Sequence, residues 1–263
     1  MTSGFNLDRV EIRFGDRAAV DDISVEIPRG QVTAIVGPNG CGKSTLLRAM
    51  SRLQTTDSGM VTLEGRPVHD IPTRLFATKV GLLPQSPTAP DNLSVIDLVT
   101  RGRDPYRRWY DQWSRADEEV VTDALERTGM TEFADRPLES LSGGQRQRAW
   151  IALALAQQTG ILLLDEPTTF LDISHQLEVL DTIRGLHTDH GVTVVMVLHD
   201  LSLAARYADH LLAMRDGKLV AAGSVHEVIT PSVLRDVFGV ECSVIIDDHT
   251  GRPIVIPRSI SPQ

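Results

Sequence analysis

The apolar run VTAIVG, residues 32–37, passes directly into the glycine-rich turn GPNGCGKS, residues 37–44. The run has the composition of a strand that is buried on both faces of a sheet. The turn matches the spacing G-x-x-x-x-G-K-[ST], and a helix is predicted from Lys43 to about Leu53. A strand, a glycine turn and a helix in this order predict a phosphate-binding loop.

The chemistry of this loop, residues 37–45 and called the phosphate loop below, explains its residue types. Its glycines let backbone N–H groups face a polyphosphate, and the helix N-terminus adds positive potential. Lys43 is predicted to reach the β- and γ-phosphates, and the Ser44 hydroxyl to ligate Mg²⁺. Cys41 is expected to be a small filler with no catalytic task. The predicted nucleotide-binding residues here are Gly37, Pro38, Asn39, Gly40, Cys41, Gly42, Lys43, Ser44 and Thr45.

Strands and helices alternate along most of the remaining chain, which predicts an α/β fold with a mostly parallel sheet. A helical block at 94–158 interrupts this alternation and is interpreted as an inserted α-helical subdomain. A hairpin is predicted around Thr250–Gly251. Further strands are predicted at 60–65, 79–85, 161–166, 192–200, 210–217 and 218–223, and helices at 94–101, 116–128 and 145–158.

Polar residues follow several of the predicted strands. ILLLDE, residues 161–166, places Asp165 and Glu166 at the carboxyl end of a strand, where ligands bind in such sheets. Asp165 is predicted to hold Mg²⁺ directly or through water, and Glu166 to orient the attacking water. Gln85 and His199 end two other strands, Gln85 as a candidate contact to magnesium and water. Either residue alone would be interpreted as a polar strand cap.

A second helix start lies in LESLSGGQRQRAW, residues 138–150. Ser142, Gly143 and Gly144 would leave backbone N–H groups unpaired there, an arrangement that attracts phosphate. The stretch contains no lysine placed like Lys43. The sequence therefore predicts two anion-binding helix starts, of which the second is incomplete.

These motifs together resemble an ATP-binding cassette (ABC) ATPase, and the resemblance extends from about residue 5 to the end of the chain. LSGGQ, residues 141–145, is identified as the signature motif of that family. The resemblance implies ATP and Mg²⁺ as ligands, Gln85 as the Q-loop glutamine, Leu171-Asp172 as part of the D-loop and His199 as the switch histidine. It also implies that Phe14 stacks on adenine, although simple strand packing remains an alternative for this ring.

The same resemblance implies a fold and an assembly. The fold is a P-loop NTPase with a RecA-like core of about 1–85 and 159–263, an N-terminal antiparallel β part and a helical subdomain of about 86–158. Two chains would dimerise head to tail, so that Ser142, Gly143, Gly144, Gln145 and Asp172 of one chain meet the ATP of the other. The incomplete helix start is then half of a site that a second chain completes.

Composition excludes several classes of protein. The 263 residues carry a formal net charge of −9, which argues against a nucleic-acid partner. No apolar run is long enough to span a bilayer, and MTSGFNLDRVEIRF has charges where a signal peptide needs apolar residues. Two cysteines fit a reducing compartment. The expected location is the cytoplasmic face of the inner membrane, as a peripheral subunit.

Residues 101–115, RGRDPYRRWYDQWSR, combine arginines with aromatic side chains in an otherwise acidic chain. Such residues are enriched in protein interfaces, although a solvated surface explains them equally well from the residues alone. The family resemblance implies that this stretch and Gln85 contact transmembrane permease subunits. An extracytoplasmic substrate-binding protein would be only an indirect partner.

Longer stretches resemble the ATPase subunits of bacterial ferric-siderophore importers, whose relatives import haem and cobalamin. These stretches include TRGRDPY, LLLDEPTTFLDISHQ and VLHDLSLAARYADHLLAMRDGKLVAAG. The expected function is ATP hydrolysis coupled to import of ferric siderophore. The alternatives are haem or cobalamin import, an iron–sulfur assembly ATPase, a DNA-repair or translation ATPase, and a nucleotide-binding module without turnover.

Overall fold

The computed structural model describes residues 4–107, 113–169 and 171–260. In chain order the strands are β1 (Phe5–Phe14), β2 (Arg17–Ile27), β3 (Val32–Val36), β4 (Ser58–Leu63), β5 (Arg66–Pro67), β6 (Val80–Leu83), β7 (Ile161–Asp165), β8 (Thr193–Val197), β9 (His210–Arg215), β10 (Lys218–Ser224), β11 (Val240–Ile246) and β12 (Pro253–Ile260). The α-helices are α1 (Lys43–Met50), α2 (Thr73–Ala77), α3 (Val95–Thr100), α4 (Arg115–Arg127), α5 (Gly143–Ala156), α6 (Ile173–His190), α7 (Leu201–Tyr207), α8 (Val225–Val228) and α9 (Pro231–Phe238).

The chain divides into two compact units. The first joins the segment that ends at Ile71 to the segment that begins at Thr193, and the second is Pro72–Val192. In the first unit, β2, β1, β4 and β5 form an antiparallel sheet in that order. This sheet confirms the predicted N-terminal antiparallel part.

The first unit also contains the strand that leads into the phosphate loop. All five residues of β3 are buried, as the apolar run predicts. β3 pairs in parallel with β8 on one side and with β9 on the other, and β10 pairs antiparallel with β9. Because β3 is central in this group, the loop that follows it leaves from a rigid support.

In the second unit, β6 and β7 pair in parallel, and Leu83 lies opposite Leu164 at their carboxyl ends. Three helices, α3, α4 and α5, enclose a separate hydrophobic cluster that includes Val99, Val121 and Ala152. Ser94 caps α3 by accepting the backbone N–H of Asp97. The helical segment predicted between 94 and 158 is therefore present with its own core.

Three short helices, α2, α8 and α9, were not predicted. The signals for α9 are nevertheless in the sequence: Thr230 caps it, Pro231 is its first residue and Gly239 ends it in a left-handed conformation. The hairpin of β11 and β12 confirms the prediction around Thr250–Gly251. Within the described residues, no helix is both long enough and apolar enough to cross a membrane.

Candidate nucleotide-binding site

The conformation of the phosphate loop requires glycine at two positions. Gly37 and Gly42 have φ angles of 153° and 106°. A Cβ atom on Gly37 would lie 2.2 Å from the carbonyl oxygen of Met214, and one on Gly42 would lie 2.0 Å from that of Ala19. The loop is also tied to the β9–β10 turn, because the Gly217 N–H donates to the Cys41 carbonyl at 3.0 Å. Any side chain at either glycine would displace the loop.

Positive charge is concentrated where this loop enters α1. Lys43 is only 4% exposed, and its Nζ donates to the carbonyl oxygens of Gly37 and Pro38, each at 2.9 Å. Gly42 caps the helix without a side chain, and the first-turn amides have no acceptor within the helix. The lysine, the helix dipole and the first-turn amides therefore fit a polyphosphate.

The Cys41 side chain lies inside the phosphate loop and is 3% exposed. Its Sγ would be 2.8 Å from a Cβ atom on Gly37. Burial raises the pKa of the Cys41 thiol, and Lys43 only partly opposes this shift. The protonated thiol fills space, as expected for a residue without a catalytic task.

His199 and Phe14 also belong to the first unit. Ile35 of β3 pairs with Val197 of β8, so the exposed His199 follows β8 at the sheet edge from which the phosphate loop leaves. Phe14 is 54% exposed at the end of β1. Its cross-strand partner Arg17 donates to the Gly40 carbonyl at 2.5 Å, so this end of the β1–β2 hairpin lies beside the loop.

The second unit brings Gln85 and Glu166 together. Each follows by two residues the matched pair Leu83 and Leu164, so both lie at the same edge of the β6–β7 pair. The Gln85 Nε2 donates to Glu166 Oε2 at 2.8 Å. Asp165, the last residue of β7, is 2% exposed.

The predicted Mg²⁺ ligands, Ser44 in the first unit and Gln85 and Asp165 in the second, all offer hard oxygen atoms, which suit this ion. Among the residues that the structure describes, no three His, Cys, Asp or Glu side chains form a metal-binding group. Mg²⁺ commonly takes few protein ligands and completes its shell with substrate phosphates and water. The chemistry of these individual side chains therefore fits Mg²⁺ bound together with ATP.

A residue that the sequence interpretation missed lies against Glu166. The Thr169 Oγ1 donates to Glu166 Oε2 at 3.0 Å, and the Thr169 N–H donates to the Glu166 carbonyl at 3.2 Å. Glu166 has φ 55°, an uncommon conformation for a residue with a side chain. In the sequence, the only indication of this contact is a hydroxyl-bearing residue three positions after the acid.

The second helix start is capped by side chains. At the N-terminus of α5, Ser142 Oγ accepts the Gln145 N–H at 3.2 Å, while Gln145 Oε1 accepts the Ser142 N–H at 3.0 Å. This capping box leaves the amides of Gly143 and Gly144 without an acceptor in the helix. The Ser142 hydroxyl accepts in the box, so its proton remains available for donation.

The predicted D-loop residues pack beside that turn. A Cβ atom on Gly144 would lie 3.5 Å from the Leu171 side chain and 3.8 Å from the His175 ring. Asp172 caps α6, and hydrogen bonds from the His175 backbone, the Ser174 hydroxyl and the His175 ring lower the Asp172 pKa to about 2. Asp172 therefore carries its negative charge throughout the neutral range.

Part of the arginine-rich stretch 101–115 is internal. Arg103 is 8% exposed and donates to Asp117 at 2.9 Å and to the Ala156 carbonyl at 2.8 Å. The Tyr106 hydroxyl donates to the Gln157 carbonyl at 2.6 Å. Arg101, Asp104 and 113–115 are exposed, and 108–112 lie outside the described residues. Arg103 and Tyr106 thus anchor the stretch, whereas the exposed side chains can meet a partner.

A cavity of about 300 Å³ in the second unit is lined by Leu155, Leu162, Leu186, Arg127 and His190, among others. It includes none of the predicted nucleotide-binding residues. This cavity is therefore distinct from the candidate nucleotide-binding residues described above.

Comparison with known proteins identifies the family of this chain. Residues 20–169 match the family model of the ABC transporter. The chain is 48% identical to the petrobactin import ATP-binding protein FpuD of Bacillus anthracis, covering 98% of this chain and 94% of the relative. It is 47% identical to the ferric enterobactin transport ATP-binding protein FepC of Escherichia coli (strain K12), covering 95% and 92%.

A solved structure indicates the same family. The dimeric, post-hydrolysis structure of the ATP-binding cassette MJ0796 bound to ADP and Pi has a TM-score of 0.75 and 26% sequence identity to this chain. The alignment covers 84% of this chain and 98% of that cassette. The chain therefore belongs to the ABC transporter family, in which it is an ATP-binding and ATP-hydrolysing subunit.

Proposed function

We propose that this chain is the ATPase subunit of a bacterial importer of ferric siderophores and works at the cytoplasmic face of the inner membrane. The observation that carries the proposal is near-full-length similarity to import ATP-binding proteins for petrobactin and ferric enterobactin. The ATPase does not touch the siderophore, so the proposed cargo rests on this kinship. The phosphate loop and strand-end groups supply the chemistry.

Binding of ATP is assigned to the first unit. The phosphates would accept hydrogen bonds from the phosphate-loop amides, and the Lys43 Nζ would turn from two carbonyl oxygens to the β- and γ-phosphates. Mg²⁺, held by Ser44, Gln85 and Asp165, would neutralise charge on those phosphates. The exposed Phe14 ring would stack on adenine beside the loop.

Hydrolysis is assigned to Glu166 with His199 and Gln85. The Glu166 carboxylate would orient and polarise the water that attacks the γ-phosphate. His199 would donate to the oxygens on which charge develops. The bond between Gln85 and Glu166 supports a shared task, because it joins the proposed magnesium contact to the proposed base through one side chain.

The second helix start is assigned to the ATP of another copy of this chain. In a head-to-tail dimer, the Ser142 hydroxyl and the amides of Gly143 and Gly144 would meet the γ-phosphate of the partner, with Gln145 holding the cap. Asp172 would lie at the same junction, since the D-loop packs beside Gly144. ATP then favours the closed dimer because its phosphates contact both chains.

The helical subdomain, about 86–158, is the part assigned to the permease. Gln85 and the exposed side chains of 101–115 would contact transmembrane subunits, and dimer closure would move them. The substrate-binding protein would act on the outer side and reach this chain only through the permease.

Uptake measurements in iron-limited cells test the cargo. Cells whose only copy carries Glu166→Gln should lose uptake of a radiolabelled ferric siderophore and retain uptake of haem and cobalamin. Loss of haem or cobalamin uptake alone would instead assign the cassette to that cargo. Normal uptake of all three, with ATPase activity abolished and expression verified, would contradict the import proposal.

Membrane co-fractionation separates this function from an iron–sulfur assembly ATPase. The chain should co-sediment with membranes when its permease is present and be released when the permease genes are deleted. Recovery in the soluble fraction under both conditions would favour a partner without membrane spans. Release of phosphate from ATP would exclude a nucleotide-binding module without turnover, and absence of phosphate release would support one.

A further inference from the structure

The Glu166 carboxylate is anchored on one oxygen by two donors from different parts of the second unit. Gln85 Nε2 reaches Oε2 at 2.8 Å from the end of β6, and Thr169 Oγ1 reaches the same oxygen at 3.0 Å from three residues downstream. Two bonds to one oxygen fix the direction and the plane of the carboxylate. A group that has to orient a water molecule needs this restriction.

Thr169 also supports the backbone of Glu166. Its N–H donates to the Glu166 carbonyl at 3.2 Å and closes the turn that follows β7. Glu166 needs such support, because φ 55° is an unfavourable conformation for a residue with a Cβ atom. One residue therefore holds both the main chain and the side chain of the acid.

The two donors differ in how firmly they are held. Gln85 is exposed, and its side chain has other proposed contacts to magnesium and permease. Thr169 is half-buried, and its hydroxyl is fixed relative to Glu166 by the turn they share. If Gln85 moves during the cycle, Thr169 is the donor that can keep the carboxylate oriented.

We propose that Thr169 is a positioning residue for hydrolysis, which orients Glu166 through its hydroxyl without touching ATP. The proposal rests on the assignment of Glu166 as the group that polarises water. It predicts that the Thr169 hydroxyl contributes to turnover but not to nucleotide affinity. A merely structural threonine would instead affect folding and affinity together.

The test is the steady-state ATPase activity of the full chain with Thr169→Val, Thr169→Ala and Thr169→Ser. Loss of the hydroxyl in the first two variants should lower kcat about tenfold, the effect of one hydrogen bond made in the transition state. KM for ATP and Kd for a non-hydrolysable ATP analogue should stay within about twofold of wild type. Serine keeps the hydroxyl and should restore kcat.

Two further variants make the outcomes distinct. Thr182→Val is the matched control, because it removes a hydroxyl that donates to the Glu178 carbonyl on the exposed face of α6, and its kcat should equal wild type. Glu166→Gln should have no turnover. ATPase activity in Glu166→Gln would contradict the assignment of Glu166 as the group that polarises water. If Glu166→Gln is inactive but Thr169→Val and Thr169→Ala keep wild-type kcat, only the role of Thr169 is contradicted. Equal loss of kcat and ATP affinity in Thr169→Val and Thr169→Ala would also contradict the positioning role of Thr169. A kcat of Thr169→Ser as low as that of these two variants would contradict it as well.

Discussion

The two helix starts that are proposed to bind phosphate are built by different physical means. At α1, Gly42 caps the helix without any side chain, its φ is 106°, and contacts with Ala19 exclude a Cβ atom. At α5, Ser142 and Gln145 form a complete capping box. Gly143 there has no atom within 4 Å of a built Cβ, and Gly144 has only ordinary contacts.

This difference indicates why glycine is needed at each helix start. The fold of the chain itself requires Gly37 and Gly42, since alanine would overlap backbone oxygens from distant segments. The described residues place no such demand on Gly143 or Gly144, and neither has a positive φ. Close approach from outside the chain is a physical reason for glycine there, as expected if a partner's nucleotide binds at α5.

The largest expected effect comes from Gly42→Ala. Strain in the left-handed region costs about 1–3 kcal/mol, and overlap with the Ala19 carbonyl adds to it. The variant should lose both thermal stability and ATP binding, measured by Tm and by titration with a fluorescent nucleotide. Unchanged Tm and Kd would contradict the requirement for glycine at the phosphate loop.

Lys43→Ala should separate affinity from stability. Loss of a charge-assisted hydrogen bond to phosphate should weaken ATP binding roughly 10- to 100-fold. Tm should fall only modestly, because the ammonium makes two hydrogen bonds, both to loop carbonyls. Lys218→Ala, whose side chain is 68% exposed and pairs with Asp21, is the matched control. Normal ATP affinity in Lys43→Ala would remove this lysine from the site.

Gly143→Ala tests the opposite helix start. Alanine in the first turn should raise stability by up to about 1 kcal/mol, because it reduces the freedom of the unfolded chain. Nucleotide affinity of the monomer should be unchanged, while ATPase activity and ATP-induced dimerisation should fall sharply. Wild-type turnover together with the gain in stability would show that no partner needs this glycine.

The smallest effect is expected at Cys41. Cys41→Ser should retain ATPase activity, since the side chain only fills space in the phosphate loop. In a Cys242→Ser background, alkylation of Cys41 should be slow at neutral pH and accelerate as pH rises past the usual thiol range, because burial raises the pKa of this thiol. Alkylation should block ATP binding and ATP should protect. Modification without any effect on binding would place Cys41 away from the nucleotide.

Features that depend on short spacing could be predicted from the sequence alone. The strand, glycine turn and helix at 32–50 follow from local composition, and so do the acids at the end of β7. The carboxyl ends of two predicted strands also predict Gln85 and Glu166 at one edge of the sheet, and the structure pairs these two strands. Such features are predictable because covalent connection and strand geometry fix them.

Contacts between distant segments depend on the fold of the whole chain. The fold brings Met214 and Ala19 against the phosphate loop and buries Arg103 against Asp117. The turn after β7 places the Thr169 hydroxyl on Glu166, three residues earlier. In the sequence Arg103 is one of several arginines in a polar stretch, and Thr169 is a common loop residue. The role of Arg103 depends on packing against Asp117, and that of Thr169 on the left-handed backbone conformation of Glu166. No sequence spacing predicts either feature.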